Sequence, residues 1–399
     1  MIKTLLKICC LLGLLHSAKI QAQDYVDLNK GAANQKNYYT TIPYRELKSK
    51  VIVQCSINGK PYNFIVDTGA AMSITPKVFK ELHPNVITSV QVSDQAGMID
   101  SLQIVSLKNI KLGDVTFSDV PSMVVKDAEI FDCFSVDGLI GSNLLRNSII
   151  QFSSKTHTII LTDDAKKLSL KSKFASGMDL SPIQSNPFVW VEATNGEISG
   201  RDYVLFDSGM DSFYDMSMKA FQQSFAELNL FTVLAEAKGS FTLGMNGLPS
   251  AQDYYKVSAP QLKINGSTFT NVITETTYGD SSRIGADLFD HGLVTLDYKN
   301  RKFYFEPFAK TNFDLQIDDW PFTPTIKDNK LIVGIVWGER WREIIVPNDE
   351  IIQFDGRTYA GADVCKLLTG SHKSNSTMAK LVLKDAITGE IKEVEISKE

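Results

Sequence analysis

The sequence predicts a mainly β protein, made of two copies of one β-rich unit followed by a small α+β tail. An apolar run that ends in an aspartate, a hydroxyl residue and a glycine occurs twice, as "NFIVDTGAAMSI" (63–74) and "DYVLFDSGMDSF" (202–213). Each copy is followed by a second shared block, "DGLIGSNLLRNSIIQFSSKTHTIIL" (137–161) and "SSRIGADLFDHGLVTLDYKNRKFYF" (281–305). Aligned on Ile140-Gly141 and Ile284-Gly285, both continue with a small residue, Asn or Asp, Leu and an apolar residue, then strand, Lys-containing turn and strand. Between these landmarks "LKNIKLGDVTFSDV" (107–120) matches "APQLKINGSTFTNV" (259–272), each a strand, a tight turn and a strand. The offsets agree, with 140 residues from Asp67 to Asp207 and 144 from Gly141 to Gly285. A repeat of that length is one folding unit used twice.

Along the chain, residues 1–22 read as a secretory signal peptide: Lys3 and Lys7, an apolar stretch from Ile8 to Leu15, and a small-residue cleavage point after Ala22. Export to the periplasm or the cell exterior follows as the expectation, and no later apolar run is long enough to span a bilayer. The segment carries Lys3, Lys7 and Lys19 of the 41 basic residues and none of the 46 acidic ones, so the mature chain has a net charge of −8. A surplus of acid without a basic face argues against nucleic acid as a partner. Cys55, Cys133 and Cys365 remain after processing. They read as buried free thiols, with a Cys55–Cys133 bridge as the alternative. Residues 37–165 form the first unit, the polar stretch 162–179 the link, 175–310 the second unit and 313–399 the tail.

A carboxylate at the end of a buried strand is costly unless it is paired, hydrogen-bonded or protonated, so Asp67 needs a partner and Asp207 is the candidate. Other chemistries find little support. The five histidines are scattered, and there is no H-E-x-x-H, G-x-S-x-G or P-loop. No metal or cofactor is expected.

These residues resemble the pepsin and retropepsin-like aspartic peptidases, which carry one D-T/S-G loop per lobe followed by an apolar-apolar-Gly segment, here Leu139-Ile140-Gly141 and Arg283-Ile284-Gly285. The likeness covers about two thirds of the chain, and each unit is closer to the compact retroviral lobe, with two fused in one polypeptide so that no dimer is required. The resemblance implies two similar β-barrel lobes of the acid protease fold and catalytic aspartates Asp67 and Asp207 sharing one proton. It also implies that Thr68, Gly69, Ser208 and Gly209 support the dyad, with hydroxyl hydrogen bonds across the lobes. Like charges that close do not both ionise, so one carboxyl is an acid while the other, a base, activates the water that attacks a peptide carbonyl. A flap is expected in 92–104, near Gly97 and Met98, or in 239–252, at Asn246-Gly247. Ala70, Met210, Ile140, Gly141, Ile284 and Gly285 are expected to line the cleft.

Two positions depart from the pattern: Met210 follows the second triplet where relatives carry a small or hydroxyl residue, and Arg283 replaces an apolar residue. They mark the second lobe as altered. The tail, "DNKLIVGIVW", "VPNDEIIQFDG", "AGADVCKLLTG" and a closing hairpin, resembles a PDZ domain of the bacterial protease type, most closely over Val346–Gly356. Its entry loop holds Pro321, Pro324 and Asp328 and no glycine, which disfavours capture of a free carboxyl terminus but leaves room for an internal strand. The expected activity is that of an exported aspartic endopeptidase acting on protein or peptide. The alternative is a weak or inactive peptidase-fold protein that binds peptides through the cleft or the PDZ-like tail.

Overall fold

The computed structural model describes residues 26–93, 99–126, 128–225, 228, 230–241, 247–370 and 376–399; the expected signal segment lies outside them. The protein is mainly β, and among the described residues its strands fall into sheets of 16, 9 and 6 members. The first sheet forms the first lobe and runs on into the second, because Ile149–Ser153 pairs antiparallel with Gly292–Asp297. These are the strands that follow the two Ile-Gly pairs. Thr158–Thr162 and Tyr39–Leu47 extend the sheet on one side, and Lys302–Pro307 and Ala175–Gly177 extend it on the other. The repeated sequence blocks thus meet edge to edge in one six-stranded floor, and the stretch expected to be a link contributes its edge strand. One hydrophobic cluster, from Tyr38 through Phe152, Phe206 and Phe289 to Phe313, fills both lobes.

Turn chemistry fixes the hairpins. Asn58-Gly59 and Asn265-Gly266 each place both residues at positive φ (51° and 82°, 45° and 80°), the two-residue turn whose twist suits flanking strands. The hairpin expected as the first flap is formed by Asn85–Ser93 and Ile99–Leu107, with Gly97 and Met98 outside the described residues. Its second-lobe counterpart is formed by Thr232–Gly239 and Gln252–Ile264, and Asn246 is likewise outside them.

The C-terminal sheet, Phe322–Lys327, Lys330–Val336, Glu350–Phe354, Met378–Lys384 and Ile391–Ser397, covers the short helix Val364–Thr369 and has its own core around Phe322, Val333, Leu367 and Leu381. It is joined to both lobes. On the second lobe, Ser240 N–H donates to Gly334 O (3.0 Å), Lys256 pairs with Asp319 (2.9 Å) and Thr323 Oγ1 donates to Glu275 Oε1 (3.0 Å). The segment 239–241 therefore lies against the strand Lys330–Val336.

On the first lobe the bond is covalent, and it corrects the cysteine expectation. Cys133, on the helix Glu129–Phe134, is disulfide-bonded to Cys365, with Cα atoms 4.6 Å apart across 232 residues. Among the described residues only Cys55 is a free thiol, buried in the first-lobe core. The pairing depends on two helices from distant segments meeting, which residue spacing does not encode.

Candidate active site

The strand Lys60–Asp67 is buried at Phe64–Val66 and ends at the floor of a cleft; Ser199–Phe206, which alternates buried and exposed residues, ends there too and delivers Asp207. Each is held by a short parallel neighbour, which are the two Ile-Gly segments. Ile140 pairs with Val66 and Gly141 with Asp67, while Arg283 pairs with Leu205 and Ile284 with Phe206. The apolar run therefore ends in a charge because the strand leaves the core there and enters the cleft.

The two loops interlock. Thr68 Oγ1 donates to Phe206 O (2.6 Å) and accepts from Ser208 N–H (3.0 Å). Ser208 Oγ donates to Val66 O (2.8 Å) and accepts from Thr68 N–H (3.0 Å). All of these groups are buried, so each bond also spares a desolvated partner. Thr68→Val keeps the volume but orphans Phe206 O and Ser208 N–H. We expect it to lower the unfolding free energy by about 2–6 kcal/mol in urea denaturation, from about 1–3 kcal/mol for each of the two unsatisfied buried groups; a loss below about 0.5 kcal/mol would show that the lock contributes little.

Gly69 and Gly209 are required by approach distance. A Cβ on Gly69 would lie 2.6 Å from Asp207 Cγ, and one on Gly209 would overlap Asp67 in the same way. Their N–H groups instead donate within their own loops, to Asp67 Oδ1 and Asp207 Oδ1, both at 2.9 Å. The two loops bring the carboxyl groups of Asp67 and Asp207 close enough for each to act on the ionisation of the other. Burial, and then the charge of Asp207, push the Asp67 carboxyl well above the usual carboxylate range, against a smaller opposing effect from Lys50.

Met210 does not distort the second loop. Ala70 N–H donates to Asp67 O (3.3 Å) and Met210 N–H to Asp207 O (3.1 Å), while Ser142 and Ala286 donate to Ala70 O and Met210 O (3.0 and 2.8 Å). The Met210 side chain is buried against the cleft wall. Arg283 differs from an apolar residue in kind: its guanidinium reaches Asp207 Oδ2 (3.2 Å) and Asp215 Oδ2 (2.6 Å).

Sequence reasoning missed Lys50 and Asn186. Ile52 faces Ile65 and Phe188 faces Leu205, so continuing each register sets Lys50 opposite Asp67 and Asn186 opposite Asp207. Each crosses to the other loop: Lys50 Nζ donates to Gly209 O, and Asn186 Nδ2 donates to Gly69 O (2.6 Å). The signal lay in the hairpin turns Asn58-Gly59 and Asn195-Gly196, from which the cross-strand partners of both aspartates can be counted.

The cleft has a volume of about 1790 Å³. Leu139, Phe131 and Val125 line it from the first lobe beside Lys50, Lys126 and Glu129, and Arg283, Asp215 and Glu275 line it from the second beside Phe188 and Ile273. Burial pushes Glu275 up to about 7. Of the two hairpins, Val92 and Leu102 line the cleft from the first and Leu248 from the second. Asp328, Val333, Val364 and Leu368 of the C-terminal domain close the remaining side.

Residues 53–144 match a family described as aspartyl protease, over under a quarter of the chain that includes the first triplet and Leu139-Ile140-Gly141. No curated protein matches the sequence. Among solved structures, conglutin gamma from lupine seeds aligns at 12% identity over 69% of this chain and 96% of its own, with a TM-score of 0.39. Basic 7S globulin from soybean aligns at 10% identity over 68% and 94%, with a TM-score of 0.38. A retropepsin-like aspartic protease from Rickettsia conorii aligns at 17% identity over 33% and 94%, with a TM-score of 0.24. The family match and the interlocked aspartate loops agree on an aspartic-protease-like fold.

Proposed function

We propose that this chain is an aspartic endopeptidase whose single polypeptide supplies both members of an Asp67/Asp207 dyad. The observation that carries the reading is the pair of facing carboxyls, each at the end of a strand and held by an interlocked loop, on the floor of a cleft of about 1790 Å³. In the proposed reaction a water between the carboxyls loses a proton to the ionised aspartate and its oxygen bonds to the peptide carbonyl carbon. The protonated aspartate gives its proton to the carbonyl oxygen. Collapse of the tetrahedral intermediate breaks the C–N bond as one of its hydroxyls returns a proton to the aspartate that had donated, and the leaving amine takes up the proton held by the other, which restores the dyad. Because both aspartates come from one chain, dimerisation is not part of the proposal.

Export through residues 1–22, to the periplasm or the exterior, belongs to the same reading, and the Cys133–Cys365 bridge supports it because structural disulfides persist in oxidising compartments. We read the C-terminal sheet with helix Val364–Thr369 as a PDZ-like domain that forms part of the substrate cleft. The test is digestion of an unstructured protein by purified residues 24–399 across pH, followed by mass spectrometry. We expect internal cleavage with a bell-shaped pH dependence whose limbs belong to the coupled pair. Its basic-side limb should lie well above the range of an isolated carboxylate, because burial holds the proton on Asp67. A second reading, a peptide-binding protein on a peptidase scaffold, is favoured by the ion pair between Arg283 and Asp207. Peptide binding without cleavage at any pH would select it.

A further inference from the structure

We propose that Arg283 is a positioning residue that divides the labour of the dyad, keeping the negative charge on Asp207 as the base and leaving the transferable proton on Asp67. The inference rests on the peptidase reading of the same site and assigns roles that a symmetric pair of loops would leave open.

The asymmetry is built into equivalent positions. Leu139 faces Ser73 across an antiparallel pair in the first lobe, and Arg283 faces Asp215 across the corresponding pair in the second. Leu139 packs into an apolar cluster with Ile65, Phe131 and Phe134. At the same place the second lobe carries a guanidinium only 14% exposed, anchored on one side by Asp215 and bonded on the other to Asp207. Ser212 Oγ donates to Asp215 Oδ1 (2.8 Å), so the anchor is itself held.

Hydrogen-bond direction then separates the two carboxyls. Asp207 accepts from Gly209 N–H and from Arg283, a cationic donor; Asp67 accepts from Gly69 N–H and faces Asp207, the acceptor to which a proton on it can donate. A carboxylate is favoured where a charged donor points at it, and an acid where burial is compensated by donating to a neighbour. Charged groups on the surrounding elements leave this division in place. Lys50, opposite Asp67, spends its ammonium on Gly209 O and offsets only part of the rise at Asp67. Asp215 and Asp211 bear on the guanidinium side, Asp215 acts on Glu275, and Lys256 is paired with Asp319. Below the acid-side limb of the pH profile both members of the dyad are protonated. A fixed positive charge at Arg283 opposes that second proton and so pushes the limb to lower pH; removing the charge lets the limb rise.

The test compares wild type, R283L, R283K and the double variant R283L/D215S. The double variant gives the second lobe the Leu and Ser that face each other in the first, so no unpaired carboxylate is left in the wall. One readout is the pH dependence of kcat/KM on an unfolded protein. The other is the 13C carboxyl shift of the dyad, assigned through D67N and D207N. We expect the acid-side limb, and the pair's uptake of its second proton, to move up by about 1–3 pH units in R283L and R283L/D215S, the effect of losing one opposite charge at this range. R283K should restore most of that shift, and the basic-side limb should stay in place. An unmoved acid limb in the double variant overturns the proposal, as does faster hydrolysis at every pH, which would make Arg283 a brake on the site. If no form hydrolyses the protein, the peptidase reading falls and the carboxyl shifts alone decide: a rise in R283L/D215S upholds the charge-holding role of Arg283, and no rise removes it.

Discussion

Asp67→Asn and Asp207→Asn are each expected to reduce hydrolysis of an unfolded protein by about 10³-fold or more while leaving a folded chain. General acid–base catalysis contributes about 10²–10⁴-fold, and each substitution removes one half of the acid–base pair. Core volume does not change, and the Gly69 and Gly209 N–H groups that bond the carboxyls can still bond a side-chain amide oxygen. Activity measured by mass spectrometry and unfolding in urea separate the two effects. Full turnover in either variant would show that the carboxyls do not act together. Loss of turnover with an equal loss of folding would show that their contribution is structural. The double variant should be no worse than the poorer single one, since residues acting as one unit are not additive.

The second large effect is expected at Cys133–Cys365. Cys365→Ser, or full reduction, should lower the unfolding free energy by about 2–5 kcal/mol, the usual range for removing a native disulfide. The bridge closes 232 residues and is the covalent tie between the C-terminal domain and the first lobe. With it gone, the domain keeps its second-lobe contacts through Gly334, Asp319 and Thr323, while helix Val364–Thr369 is released from helix Glu129–Phe134. Val364 and Leu368 form part of the cleft wall, so cleavage of long unfolded substrates should slow more than cleavage of short peptides. Hydrogen exchange over 364–369 reports the release directly. Unchanged exchange there, together with unchanged stability, would mean that noncovalent packing alone holds the wall.

The tail's entry loop lacks a glycine nest for a terminal carboxylate, and the strand Lys330–Val336 is met by 239–241 of the second-lobe hairpin. A segment of the same chain arrives with its ordering entropy largely spent in folding, an advantage that a free peptide lacks. The domain therefore contributes to the site as a wall of the cleft, with its lining residues fixed relative to both lobes.

What the sequence determined by itself is everything written in local pattern. The alternation of buried and exposed residues gave the strands, Asn-Gly pairs gave hairpins with positive φ, and the duplicated Asp-hydroxyl-Gly and Ile-Gly blocks marked Asp67, Asp207 and the segments that hold them. Those signals are legible because each is decided by the dihedral preferences and burial of a few consecutive residues. The tertiary structure alone decided which groups meet at long range. Cys133 found Cys365 rather than Cys55, Lys50 and Asn186 crossed to the opposite loops, and Arg283, which reads in sequence only as a departure from an apolar pattern, came to rest between Asp207 and Asp215. These contacts join residues 68 to 232 positions apart, and they depend on strand register and on where the cleft opens. A one-residue slip in either hairpin would turn Lys50 or Asn186 to the other face of its sheet, so their place at the site is a property of the packed molecule.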